Sequence, residues 1–298
     1  MIQEIRIKNY LSFRDEVVLS FEATKDTTFE ECQVVNVTPK VRLLRFALIY
    51  GANASGKSNL LKAMDFLRDF WFDKKSDIDE DTGVVPFLLD TETPNEPSEF
   101  NIKFFVGDKR YWYALVLDDK QVIKEDLYVY NSVQPSLVFS RELDGTASLI
   151  KLNASLVKAN ATIVEQLNVK CLSNMSFFAA RNQVNCSLAY IDEVRDWMKN
   201  NMMPIIEPGT RMFEYAGKQM EKNAELKAYI LDFVHKADYN ITDVYTEREK
   251  VPIPDFVKTS IMEDKDIPEK TKERMLADNA LERLRTDFQH TVKNKRGE

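Results

Sequence analysis

Between the apolar run Phe46 to Tyr50 and the helix-like run Asn59 to Phe70 stands GANASGKS, Gly51 to Ser58. Glycine, four residues, glycine, lysine and a hydroxyl residue is the Walker A spacing of a phosphate cradle. Gly51 and Gly56 let the backbone wrap closely enough to aim several N–H donors at phosphate oxygens, and a helix starting there adds its positive end. The donors come from Asn53, Ala54, Ser55, Gly56 and Lys57. Lys57 also carries a full charge to the β and γ phosphates, while the Ser58 hydroxyl is placed to ligate Mg²⁺. The chemistry of this stretch is the binding of Mg-ATP, with Lys57 stabilising charge on a transferred phosphoryl group.

Such a loop needs a strand before it and a helix after it. Leu43 to Tyr50 reads as a buried strand, and Leu60, Leu61, Met64, Leu67 and Trp71 recur on one helical face. Upstream, Ile5 and Ile7 alternate with charged neighbours, and Val17, Leu19 and Phe21 recur at every second position after the polar bend Asn9 to Asp15, which predicts a hairpin. Ser12 and Phe13 lie in that bend. They either line a nucleotide edge or serve as a loop serine and a core-plugging phenylalanine.

Downstream, Lys74 to Pro97 is acidic and carries Pro86, Pro94 and Pro97, which predicts a surface excursion. From Glu99 to Leu152, alternating runs such as Phe100, Ile102, Phe104 and Tyr111, Tyr113, Leu115 are separated by turns at Gly107-Asp108, Asp118-Asp119 and Asp144-Gly145. That pattern is an antiparallel meander. A helix over Ala154 to Leu167, a short buried strand Met175 to Ala180 and a helix around Leu188, Ile191, Val194 and Met198 follow. Beyond the Pro208-Gly209 break, helices are expected over Phe213 to Ala237, Asp255 to Met262 and Pro268 to His290. An extended stretch lies near Val244 to Ile253, and a basic strand-like fragment ends the run to Glu298. The chain thus divides into N-terminal strands with the phosphate-loop unit (1–73), the excursion (74–98), a β lobe (99–152), a return to the core sheet and helix (153–200) and a helical lobe (201–298).

With 298 residues, 44% of them hydrophobic, the chain can bury a substantial core. Its net charge of −7 excludes a surface that coats nucleic acid generally, so any nucleic-acid contact must be local. Three scattered cysteines and two histidines form neither a disulfide framework nor a zinc-spaced cluster, which fits a reduced, cytoplasmic protein. No apolar run is long enough to span a bilayer, and no membrane role follows.

The variant loop GANASGKSN, with Asn53 and Asn59, resembles the GxNGxGKSN loop of ABC-type ATPases in the RecF and structural-maintenance-of-chromosomes group. The opening IRIKNYLSFRDEVVLSF is similar to the "NF-SF-d" phrase of bacterial members related to abortive-infection and overcoming-lysogenisation-defect systems, here Asn9, Tyr10, Ser12, Phe13 and Asp15. One departure is Ala54, where many members carry glycine. The resemblance implies an α/β P-loop NTPase fold of the ABC-head kind, with an N-terminal strand pair, an antiparallel β lobe and an α-helical lobe. It implies ATP and Mg²⁺ as cofactors, a homodimer or higher oligomer closing head to tail, and a nuclease or toxin effector as partner in phage defence or DNA maintenance. It also implies a glutamine contacting Mg²⁺ or the attacking water, for which Gln183 is the candidate as catalytic residue and metal ligand. The signature, Walker B and switch motifs are expected beyond Glu298.

Inside the chain, LAYIDE (Leu188 to Glu193) imitates a Walker B strand. Its continuation reads as a helix instead, which would place Asp192 and Glu193 on the solvated side. Two function classes stay in view: an ATPase, and a nucleotide-binding scaffold or sensor that holds an effector with little turnover. A P-loop kinase with a small-molecule acceptor gains nothing from the β meander.

Overall fold

The structure, a computed structural model, describes residues 1–210, 212–237, 240–264, 272, 276 and 279–290. The chain forms two compact units, Met1–Ile205 and Ile206–Glu298.

The first unit is built on one seven-stranded sheet. Strands β1 (Ile2–Lys8) and β2 (Val17–Ser20) form the expected hairpin, and β5 (Ser98–Val106), β6 (Lys109–Leu117), β7 (Val122–Tyr130), β8 (Ser136–Asp144) and β9 (Ala147–Leu152) form the expected meander. The two join edge to edge, because β1 pairs antiparallel with β5 through Ile5 with Ile102 and Ile7 with Phe100. The order is β2-β1-β5-β6-β7-β8-β9. Alternation puts every second side chain on one face, so the row Ile5, Ile102, Tyr113, Leu127 and Phe139 is fully buried across five strands.

Helices cover that face. In α2 (Lys57–Phe70), Leu60, Ala63, Leu67 and Phe70 are buried, and each large apolar side chain of the stripe contributes about 1.5–3 kcal/mol. Phe66 of α2 meets Phe100 with centroids 5.2 Å apart, and Tyr10 joins both rings. Farther along, α3 (Ala161–Lys170), α4 (Phe177–Arg181) and α5 (Ile191–Asn201) complete the layer, with Phe177 stacked on Phe139 at 4.0 Å and Trp197 on Phe104 at 4.3 Å.

Several expectations change. The run Met175 to Ala180 is not a strand: Ser176 caps α4 by accepting from the Phe178 N–H at 3.1 Å, and Glu125 accepts from the Phe177 N–H at 2.7 Å. Helix α3 starts later than expected, after Asn160, whose side chain accepts from the Ile163 N–H. The stretch Lys25 to Lys40, read as irregular, contains a one-turn α1 (Glu30–Gln33) and β3 (Val34–Thr38), which pairs with β4 (Val41–Leu44). The buried strand expected over Leu43 to Tyr50 ends at Leu44. Phe46 to Tyr50 has no paired strand among the described residues and lies exposed, Leu48 at 81% and Tyr50 at 93%. Without a ladder partner the β-favouring side chains alone do not make a strand.

In the second unit, α6 (Phe213–Lys222) and α7 (Ala224–Lys236) are followed by β10 (Ile241–Pro252), α8 (Asp255–Glu263) and β11 (Ala280–His290). The helix expected up to His290 is replaced at its end by β11, which pairs antiparallel with β10 from Val244 opposite Phe288 to Pro252 opposite Ala280. Pairing with a distant segment overrides the local spacing of apolar residues. Within the helix expected from Pro268, residues 268–271, 273–275, 277 and 278 lie outside the described residues, as does the fragment 291–298. Among the described residues no helix is long and apolar enough to cross a membrane.

Candidate functional site

The loop Gly51 to Ser58 runs straight into α2, which begins at Lys57. Gly56 sits at φ 89°, a left-handed conformation that turns the chain into the helix. Space adds a second constraint: a Cβ on Gly56 would lie 2.9 Å from Phe13 Cε1 and 3.0 Å from Ser12 Oγ. Gly51 is tight as well, since its Cβ would stand 3.2 Å from Ser55 Oγ. Ala54 holds φ 62° without being glycine, so the departure noted in the sequence falls on a left-handed position.

The Lys57 ammonium folds back over the loop, donating to the carbonyls of Gly51 at 3.0 Å and Ala52 at 2.6 Å and to Ser55 Oγ at 3.5 Å. Among the described residues, one N–H inside the loop is spent on the protein, that of Ser55 on the Ala52 carbonyl at 3.3 Å. The N–H groups of Asn53, Ala54, Gly56, Lys57 and Ser58 meet no acceptor among the described residues. Unpaired donors on consecutive residues at a helix start suit an anion with several oxygens.

The bend before β2 lies over this loop. Ser12 is exposed, and its Oγ accepts from Asn59 Nδ2 at 2.8 Å; Phe13 is partly buried and packs against the core. The turn is held in a costly shape, with Asn9 at φ 51° and Leu11 at φ 50°. Asn9 is itself buried. Its Nδ2 donates to the carbonyls of Thr93 and Glu96, both at 2.8 Å, and its Oδ1 accepts from the Phe87 N–H at 3.0 Å. The irregular segment 74–97 is thereby tied to the site, as the Leu11 N–H bond to the Val85 carbonyl also shows. Burial, with Asp65 nearby, pushes the Tyr10 hydroxyl up to about 12.

The other candidates make hydrogen bonds of their own. Gln183 follows α4, and its hydrogen bonds run to the carbonyls of Ala180 and Ala179, inside its own turn. Asp192 and Glu193 do begin a helix, α5, yet both side chains are half-buried and engaged by the protein. Asp192 accepts from the Leu188 N–H at 2.8 Å and pairs with buried Arg181 at 2.8 Å. Glu193 accepts from the Tyr111 hydroxyl at 3.1 Å and pairs with Lys109 at 2.8 Å. Among the described residues no group of His, Cys, Asp and Glu side chains is arranged to hold a metal. A Mg²⁺ here would rest on the exposed Ser58 hydroxyl together with phosphate oxygens and water.

Residues 46–151 match the family described as "AAA domain, putative AbiEii toxin, Type IV TA system". The match supports an AAA-type P-loop ATPase family. It spans the phosphate loop, α2 and strands β5 to β8 with most of β9, and leaves out the bend that carries Ser12. Neither the comparison with curated proteins nor the comparison with solved structures gives a match.

Proposed function

We propose that the chain is an ATP-binding ABC-type ATPase, acting through ATP-dependent head-to-tail dimerisation in phage defence or DNA maintenance. The observation that carries the nucleotide reading is a loop with five N–H groups that meet no acceptor among the described residues, with the Lys57 ammonium over the same loop at the start of α2. Ser58 would hold Mg²⁺, which would supply positive charge to offset that of the phosphates. The chain's own part is to bind and orient: Lys57 exchanges loop carbonyls for phosphate oxygens, the loop N–H groups cradle the anion, and Ser58 offers its hydroxyl to the metal. Asn59 braces the helix start through Ser12. Gln183 is the proposed contact to the metal or the attacking water. The family name mentions a toxin, which agrees with an effector, nuclease or toxin, as protein partner.

The second reading is a nucleotide-binding scaffold or sensor with little turnover. It is favoured by the engagement of Asp192 and Glu193 with Arg181, Tyr111 and Lys109, which leaves neither carboxylate free as a base. Titration with Mg-ATP and a hydrolysis assay on the same protein separate the two. Lys57→Ala is expected to weaken binding about a hundredfold, the loss of charge-assisted bonds to phosphate. Normal ATP binding by Lys57→Ala sinks both readings, and binding without hydrolysis selects the scaffold.

A further inference from the structure

We infer that the Ser12 hydroxyl is a direct ligand of a nucleotide phosphate at the loop, and that Asn59 is the positioning residue that aims it. The inference rests on the P-loop reading above and names a contact from outside the motif.

Three observations carry it. First, Ser12 Oγ lies against Gly56, 3.0 Å from where a Cβ would stand, so the hydroxyl borders the backbone whose N–H groups are unpaired. Second, a serine hydroxyl has one proton and two lone pairs. Asn59 Nδ2 donates into Oγ at 2.8 Å, which occupies a lone pair and leaves the proton for an acceptor outside the pair. Ser12 is exposed and donates to no protein acceptor among the described residues, and an oxyanion is the acceptor that the loop is built to take.

Third, the turn that carries Ser12 is expensive and heavily braced. Two non-glycine residues, Asn9 and Leu11, hold positive φ. Buried Asn9 ties the turn to segment 87–96, the Leu11 N–H ties it to Val85, and Tyr10 and Phe13 exchange backbone hydrogen bonds of 2.9 and 2.8 Å. Strain of this kind persists where the surroundings over-determine it, and such places cluster at ligand clamps. The outcome is one exposed hydroxyl held beside Gly56, with the Phe13 ring against the same glycine.

The test titrates the full chain with Mg-ATP and, separately, with inorganic triphosphate and Mg²⁺, and records the thermal midpoint without ligand. Ser12→Ala is expected to weaken both ligands about tenfold, the worth of one hydrogen bond to a charged oxygen, with the ligand-free midpoint unchanged. Asn59→Asp is expected to weaken both at least as much in wild type, because the new carboxylate captures the Ser12 proton, and to cost less when Ser12 is already alanine. Ser12→Thr, which keeps the hydroxyl, is expected to restore most of the affinity. Wild-type affinities in Ser12→Ala, with Lys57→Ala still defective, overturn the inference alone. Weakened ATP with unaffected triphosphate moves the contact to the nucleoside and also overturns it. A fall in the ligand-free midpoint that Ser12→Thr does not repair makes Ser12 a structural cap. Normal binding by Lys57→Ala instead removes the P-loop reading beneath.

Discussion

Trp71, the residue that closes α2, stands edge-on to Tyr113 in the middle of β6, with ring centroids 5.5 Å apart and planes at 83°. The far end of the phosphate-loop helix is thus seated on the sheet, and the near end is free to present Lys57 and Ser58. Trp71 is fully buried. Trp71→Ala is expected to cost about 3–5 kcal/mol in denaturant unfolding, because so large a cavity beneath α2 cannot collapse. A loss below about 1 kcal/mol, the scale of a surface substitution, shows that α2 is not held here.

Tyr113 leads on to a buried ion pair. Its hydroxyl donates to Glu125 Oε1 at 2.9 Å, Ser176 donates to the same oxygen at 2.7 Å, and Arg141 lies 3.6 Å from Oε2. Glu125 and Arg141 are fully buried in the register row that also holds Ile7, Phe100, Leu115 and Ile150. Burial raises the Glu125 pKa above its ordinary 4.5, against the opposing pull of Arg141 and the hydrogen bonds.

The folded state therefore holds this proton more tightly than the unfolded chain. The contribution is full below the ordinary carboxylate value and is lost as pH rises through the raised one. Glu4 and Asp90, lowered by their hydrogen bonds and nearby cations, slope the other way, so the readout is a difference between proteins. Unfolding midpoints across about pH 4 to 8, spanning the carboxylate and histidine range, are expected to fall less steeply with pH in Glu125→Gln than in wild type. Parallel profiles refute a raised Glu125.

Asp192 and Glu193 give a prediction that separates structure from chemistry. Asp192→Asn and Glu193→Gln are expected to bind Mg-ATP like wild type, since their partners are Arg181, Lys109, Tyr111 and the Leu188 N–H. Asp192→Ala is expected to cost about 1.5–3 kcal/mol of stability, because buried Arg181 keeps the Val184 and Cys186 carbonyls and loses only its charged partner. Hydrolysis that persists in wild type and vanishes in Glu193→Gln, with stability intact, restores these residues as a Walker B pair.

The meander was legible because alternation is a local signal: Phe100, Ile102 and Phe104, then Tyr111, Tyr113 and Leu115, all land buried on one face. The turn from Gly51 to Ser58 into a helix was legible for a similar reason, since glycine, lysine and a hydroxyl residue before an apolar helical face are a signal of consecutive residues. MSFFAA was not, because a short apolar run reads alike as buried strand or buried helix, and only Ser176 with its capping bond decides. Segment 280–290 falls in the helix expected over Pro268 to His290, and its pairing with distant β10 makes it a strand instead. The Ser12–Asn59 bond spans 47 positions, and nothing in either local pattern announces it.

Ala54 offers the sharpest test of the loop itself. At φ 62° an alanine carries strain of about 1–2 kcal/mol, while glycine there relieves the strain and loosens the unfolded chain by about 0.5–1 kcal/mol. The two effects nearly offset, so Ala54→Gly is expected to leave stability within about 1 kcal/mol of wild type and to keep ATP binding. Ala54→Val adds a β-branched side chain to the same backbone and is expected to weaken ATP binding. Gly56→Ala faces both a positive φ and the Phe13 ring, so it is expected to lose ATP binding and destabilise the chain by about 2 kcal/mol. Calorimetric titration beside unfolding curves checks all three. If Ala54→Val binds as well as Ala54→Gly, position 54 is not held in the left-handed conformation when nucleotide is bound, and Gly56 alone sets the shape of the cradle.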